Sequence, residues 1–161
     1  MKTIDELLLS ELIEDKSENP ATTSLKLKKD LYEFFKDFKD KVCVEFGTHK
    51  GQTTRILSEV FKKVYTVNNN YNVSAKELNS DKNNIIYLNN DLYSTEVLDV
   101  KEECSMFFVD AGHLYEEVIQ DLNRIFGMNC CKECYVVFDD YGGVTHRYDV
   151  KRAVDEAISL G

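Results

Sequence analysis

Long apolar runs are missing from this 161-residue chain. None approaches the roughly 20 residues of a membrane span. The N-terminus, MKTIDELLLSELIED, is acidic and amphipathic, where a signal peptide would be basic and then apolar. A cytoplasmic protein is therefore expected. Clustered basic charge is missing as well, and the formal net charge is −9. Phosphate backbones are held by Lys and Arg, so nucleic acid is excluded as an expected substrate. Proline occurs once, as Pro20 in the stretch SENPATTS, which reads as a break between helices. No second cysteine pair accompanies the C-x-x-C within CCKEC (Cys130, Cys131, Cys134), so a four-ligand zinc site is not expected. The odd total of five argues against a disulfide framework, and Cys43 and Cys104 read as small buried residues.

What is present suffices for one domain with a proper core: 161 residues, 43% of them hydrophobic. An N-terminal helical segment (1–40) should precede an α/β core (41–161). Residues 3–15 read as a helix opened by a Thr3/Glu6 capping box. Residues 24–39 read as a second, with Leu27, Leu31, Phe34, Phe35 and Phe38 inward. These helices either cover one side of a sheet or form part of a lid. Then strands and helices alternate. Strands are expected at 42–46, 63–67, 84–88, 104–110 and within CYVVFDD. Helices are expected from Gln52, at 115–126 (Val118, Ile119, Leu122, Ile125 and Phe126 inward) and from Val150 (Val150, Ala153, Val154 and Ile158 inward), and SAKELNSD reads as a short helix or turn. STEVLDV reads as a short helical piece. Apolar runs without polar alternation call for a parallel sheet covered on both faces.

The first strand, VCVEF, runs into Gly47, and Gly51 follows before the helix at Gln52. A dinucleotide fingerprint (G-x-G-x-x-G) and a Walker loop are both missing. The pattern is E-x-G-x-x-x-G. It resembles the first motif of the class I methyltransferases, which bind S-adenosylmethionine (SAM). The resemblance extends from about Lys41 to the C-terminus. It implies a Rossmann-like three-layer α/β/α fold with a mainly parallel sheet of about five strands, the C-terminal hairpin of the family being absent. Glu45, Gly47, Gly51, Asn68, Asp91 and Leu92 are the implied cofactor contacts. Asn68 stands where the family usually has an acid, so its contact to the ribose would lack charge. Thr53 and Thr54 read as helix-cap residues, His49 as exposed, and His146 as part of a loop beside the acceptor.

VDAGHLYEEVIQDL and YVVFDDYGG narrow the resemblance to a subgroup acting on small molecules, the O-methyltransferases and cephalosporin-hydroxylase-like proteins. There a D-x-x-H ends the fourth strand and an acidic pair ends the fifth. The resemblance implies magnesium at Asp110, Asp139 and Asp140, with His113 as general base and Asp110 beside it. Chemistry agrees in outline: converging carboxylates need a cation or protons, and magnesium prefers oxygen ligands. The place of [DN]-P-P-[YF], usual in amino-methylating nucleic-acid enzymes, reads DAGH. The expected function is SAM-dependent methyl transfer to a hydroxyl of a small molecule. The alternative is a degenerate SAM-binding module acting as a subunit. The apolar fifth strand would be a sheet edge, covered by a second copy in a homo-oligomer, unless the chain is a shortened member with a weakened site.

Overall fold

The computed structural model describes residues 3–8, 13–18, 21–70, 72–94, 96–142 and 147–160. Five strands form one sheet: β1 (Val42–Phe46), β2 (Lys63–Asn68), β3 (Ile85–Asn89), β4 (Cys104–Val109) and β5 (Cys130–Phe138). Their order is β3-β2-β1-β4-β5 and every pairing is parallel. Alternate residues of the central strands enter two different cores. Cys43, Val64, Met106 and Phe108 face α1 (Ile4–Leu8), α2 (Leu25–Phe35) and α3 (Gln52–Val60). Val44, Phe46, Val67 and Phe107 face the other way, toward Leu92, Leu98 and Ile125 of α5 (Tyr115–Phe126). Burial on both faces is why these strands are almost wholly apolar. Two further helices, α4 (Val73–Leu78) and α6 (Arg147–Leu160), complete the set. Among the described residues no helix is long and apolar enough to cross a membrane.

Several expectations are corrected. The Thr3/Glu6 capping box is present, but α1 spans only Ile4–Leu8 and Ile13–Asp15 are not helical. Ser24 caps α2 through the Leu27 N–H, 3.2 Å away. Phe34 points outward, 61% exposed; Lys28 and Tyr32 take the inward places. Phe126 and Ile158 are likewise exposed, because each lies just past the stripe that its helix buries. STEVLDV forms no helix where described; Arg124 organises that loop by donating to the carbonyls of Leu92, Ser94 and Glu96. The fifth strand begins earlier than expected and takes in CCKEC. Pro20 and His146 lie outside the described residues.

Candidate active site

Parallel sheets bind ligands beyond the carboxyl ends of their strands, where strand order reverses. Here that point lies between β1 and β4. Three backbone bonds bring the strand ends level: Gly47 N to Val67 O (3.0 Å), Asp110 N to Phe46 O (2.9 Å) and Asp139 N to Val109 O (3.2 Å). Gly47 has φ +94°, and a Cβ there would sit 2.0 Å from the Asp110 carbonyl oxygen. Gly51, φ +77°, is the N-cap of α3 and provides no side-chain cap. The helix therefore opens toward the cleft with unsatisfied N–H groups.

Glu45 lies beneath this turn. It is fully buried, and its Oε2 accepts from Thr54 (2.5 Å) and Thr66 (2.6 Å). Burial pushes its carboxyl up to about 8. Its side chain turns into the core beneath the loop, toward α3 and β2. Thr54 is thus not a cap, and neither is Thr53, whose hydroxyl donates to Thr23 at 3.0 Å. Asn68 ends β2 with its amide on Asn72 Oδ1 (2.9 Å). The Asp91 carboxylate accepts from Tyr93 N (2.9 Å) and shapes a turn, while Leu92 is buried in the core. His49 is exposed on the glycine loop.

Sequence reasoning missed a segment that crosses the cleft. Glu14 N donates to Gln52 Oε1 (2.9 Å), and Thr23 Oγ1 donates to Asp110 Oδ2 (3.3 Å). Lys28, fully buried, donates to Glu14 O, Thr22 Oγ1 and Gln52 Oε1 at 2.9, 3.0 and 3.2 Å. Ala21, Thr22 and Thr23 close over Gly47–Lys50, leaving about 10 Å³, the room of one water. The one sequence cue was the density of Ser and Thr in SENPATTS, too common a feature of loops to point to a cleft.

The acidic end differs from the expected arrangement. Ligand atoms of Asp110, His113 and Asp140 lie within 4.8 Å of one another, the single such group among the described residues. Asp139 is not in it. His113 Nε2 lies 2.8 Å from Asp140 and 3.7 Å from Asp110. Hydrogen bonds to Asp110 and Asp140 push its imidazole up to about 10. In that paired, protonated form the imidazole acts as a donor to both carboxylates. The same contact holds Asp140 down at about 2. Asp139, raised to about 6 by burial, pairs with Lys16. The donors as arranged do not fit magnesium: Lys16 already pairs with Asp139 and Asp140, His113 pairs with Asp140, and the third group of the cluster is a nitrogen where magnesium prefers oxygen. The cysteines are free; burial pushes the Cys104 and Cys134 thiols up to about 12, so they stay unreactive.

The profile of a methyltransferase-domain family matches residues 44–141. The chain belongs to this methyltransferase-domain family. No curated protein matches it. Among solved structures, the methyltransferase-domain chain resembles the S-adenosylhomocysteine-bound methyltransferase PaMTH1 of Podospora anserina. The TM-score is 0.66 and the identity 14%, over 89% of this chain and 72% of that one. It also resembles the precorrin-6y C5,15-methyltransferase of Geobacter metallireducens GS-15 (TM-score 0.65, 15% identity, 93% and 80% of the two chains). At such identities the likeness shows the fold, which is Rossmann-like. Phosphoethanolamine N-methyltransferase 1 of Haemonchus contortus matches at TM-score 0.50 and 20% identity over 62% of this chain, which spans only 22% of that protein.

Proposed function

We propose that the protein transfers a methyl group from SAM to a hydroxyl of a small molecule. One observation carries this reading: the glycine turn of a methyltransferase-domain chain abuts Asp110, so a donor held on Gly47–Gly51 lies beside the Asp110–His113 pair. The residues fit the cofactor's chemistry. Gly47 and Gly51 carry no side chain of their own into the turn, the start of α3 favours a carboxylate, Asn68 and the Asp91–Leu92 turn lie on the β2–β3 side, and the Ala21–Thr23 cover would have to move aside for the cofactor to enter. Bound SAM supplies an electrophilic methyl on a sulfonium.

The chain then has three tasks. Gly47, Gly51 and the α3 N-terminus orient the donor. Ala21, Thr22 and Thr23 would exclude water once the cleft is filled. The Asp110 carboxylate, more open than Asp139 or Asp140, would accept the hydrogen of a hydroxyl placed beside a bound methyl donor. His113 holds Asp110 and Asp140 in orientation. No step passes through a metal ion. D-x-x-H and the acidic pair support the small-molecule O-methyltransferase subgroup, and the net charge of −9 disfavours nucleic acid. A cytoplasmic location belongs to the same reading.

Calorimetric titration with SAM tests it; a folded chain that binds none refutes it. A second reading, a SAM-binding module without turnover, draws support from Asn68, a neutral amide whose NH2 donates to Asn72, and from the tightness of the 21–23 cover. SAM binding with no S-adenosylhomocysteine released across a panel of hydroxylated small molecules would favour it.

A further inference from the structure

Asp110, Asp139 and Asp140 meet at the ends of β4 and β5, and each finds a partner within the chain. Lys16 Nζ lies 3.2 Å from Asp139 and 3.4 Å from Asp140. His113 takes the other oxygen of Asp140, and Thr23 donates to Asp110. The Asp139 and Asp140 side chains are 6% and 8% exposed, so water does little of this work. An exposed ion pair of this kind would mean little; here both acids are buried and one ammonium bridges them.

The placement of Lys16 is built from both sides. Ile13 is buried in the core that α1, α2 and α3 share. Glu14 is fixed by Gln52 and Lys28 through its N–H and carbonyl. Asp15 accepts from Leu25 N at 2.9 Å and from Ser17 Oγ at 2.7 Å. The three residues before Lys16 are thus tied to the fold, and the ammonium lies at the acidic pair. Lys16 also lies outside the 44–141 stretch that the family profile matches, so the domain family does not supply it.

We propose that Lys16 is a built-in substitute for a divalent cation, delivered by the N-terminal segment to align Asp139 and Asp140 and leave the acidic end of the cleft organised without metal. An ammonium does this as a compact point charge with three donors. It aligns and neutralises, but it does not act as a Lewis acid toward a hydroxyl. The inference stands on the ion-pair geometry and is independent of the methyl-transfer reading.

The test is calorimetric titration of the full chain with MnCl2, whose ion takes carboxylate ligands. Wild type, Lys16→Met and Lys16→Arg are compared, each verified as folded by thermal melting. Lys16→Met is expected to bind Mn2+ about tenfold or more tightly than wild type, and Lys16→Arg, which keeps the charge, to behave as wild type. Adding Asp140→Asn to Lys16→Met should abolish the gain, which assigns it to this cluster. Equal titration of the three proteins, whether all bind or none does, overturns the inference. SAM titration of the same samples reports on the methyl-transfer reading separately, so either can fail while the other holds.

Discussion

The buried ammonium of Lys28 donates to the side-chain carbonyl of Gln52 at 3.2 Å, tying the N-terminal segment to the first residue of α3. Gln52 also accepts from Glu14 N and Thr22 Oγ1. One lysine and one glutamine thus join α2, Glu14, Thr22 and the start of α3. Burial lowers the Lys28 pKa to about 8, so the link carries a desolvation cost as well as three hydrogen bonds.

Lys28→Met removes the donors and leaves Glu14 O, Thr22 Oγ1 and Gln52 Oε1 without them. The expected loss is about 1–3 kcal/mol in urea unfolding. Trypsin should also cut after Lys16 faster than in wild type, because the segment loses its anchor. Unchanged cleavage would show that the other bonds suffice.

Gly47→Ala should be the most damaging change in the turn. The residue would need φ +94° with its Cβ 2.0 Å from a backbone oxygen that β4 holds in place. Backbone strain of this kind costs of order 1–3 kcal/mol before the clash is counted. A lower melting temperature is expected, and loss of SAM binding in whatever fraction folds. An unaffected SAM titration would separate the turn from the cofactor.

His113 should stay charged through neutral pH. Its folded pKa is raised, to about 10, so the stabilisation from its pairs is complete below the unfolded value of 6.5 and is lost as pH rises through about 10. In proton NMR its Hε1 resonance should not titrate between about pH 6 and 8. In Asp140→Asn one of its two carboxylate partners is gone, and the midpoint should fall. Titration near 6.5 in wild type would restore the base role to His113.

The fold was legible because its signals are local. VCVEF, CSMFFV and the stripe of α5 identify their elements without any partner, and the βα order implies a parallel sheet. The site was legible in its positions and less so in its contacts. That Asp110, His113, Asp139 and Asp140 share one end of the sheet follows from strand ends alone. Which of them pair depends on Lys16, 123 residues from Asp139, on a segment with no periodicity. Glu45 shows the same limit: its place in the motif suggested a ligand contact, but strand alternation turns it into the core that α3 shares, against Thr54 and Thr66.

Glu45 gives a stability signature. Its folded pKa, about 8, lies above the ordinary value of 4.5, so the folded state holds a proton that the unfolded state has released. Stability should therefore fall as pH rises from about 4.5 to about 8. Its Oε1 is buried with no hydrogen-bond partner, as expected where ionisation is penalised. Glu45→Gln should flatten this dependence and gain on the order of 1–2 kcal/mol over wild type above pH 8. Parallel pH profiles for the two proteins would mean that Glu45 ionises in the folded state without cost.

The β5 edge is the last point at which packing has a consequence for assembly. β5 pairs only with β4 among the described residues, and Tyr135 and Val136 are 37% and 38% exposed. Tyr135 meets Phe34 edge-on at 5.4 Å, so the apolar surface continues onto α2. We propose that a second copy covers this edge. A free parallel edge carries unpaired N–H and C=O groups, and Lys132 and Glu133 sit at its start rather than beside Tyr135, where a charge would deter pairing. Light scattering should then give a dimer for wild type, and Val136→Lys should shift it toward monomer, because a second copy would have to bury the new charge. A wild-type monomer at high protein concentration would refute the dimer.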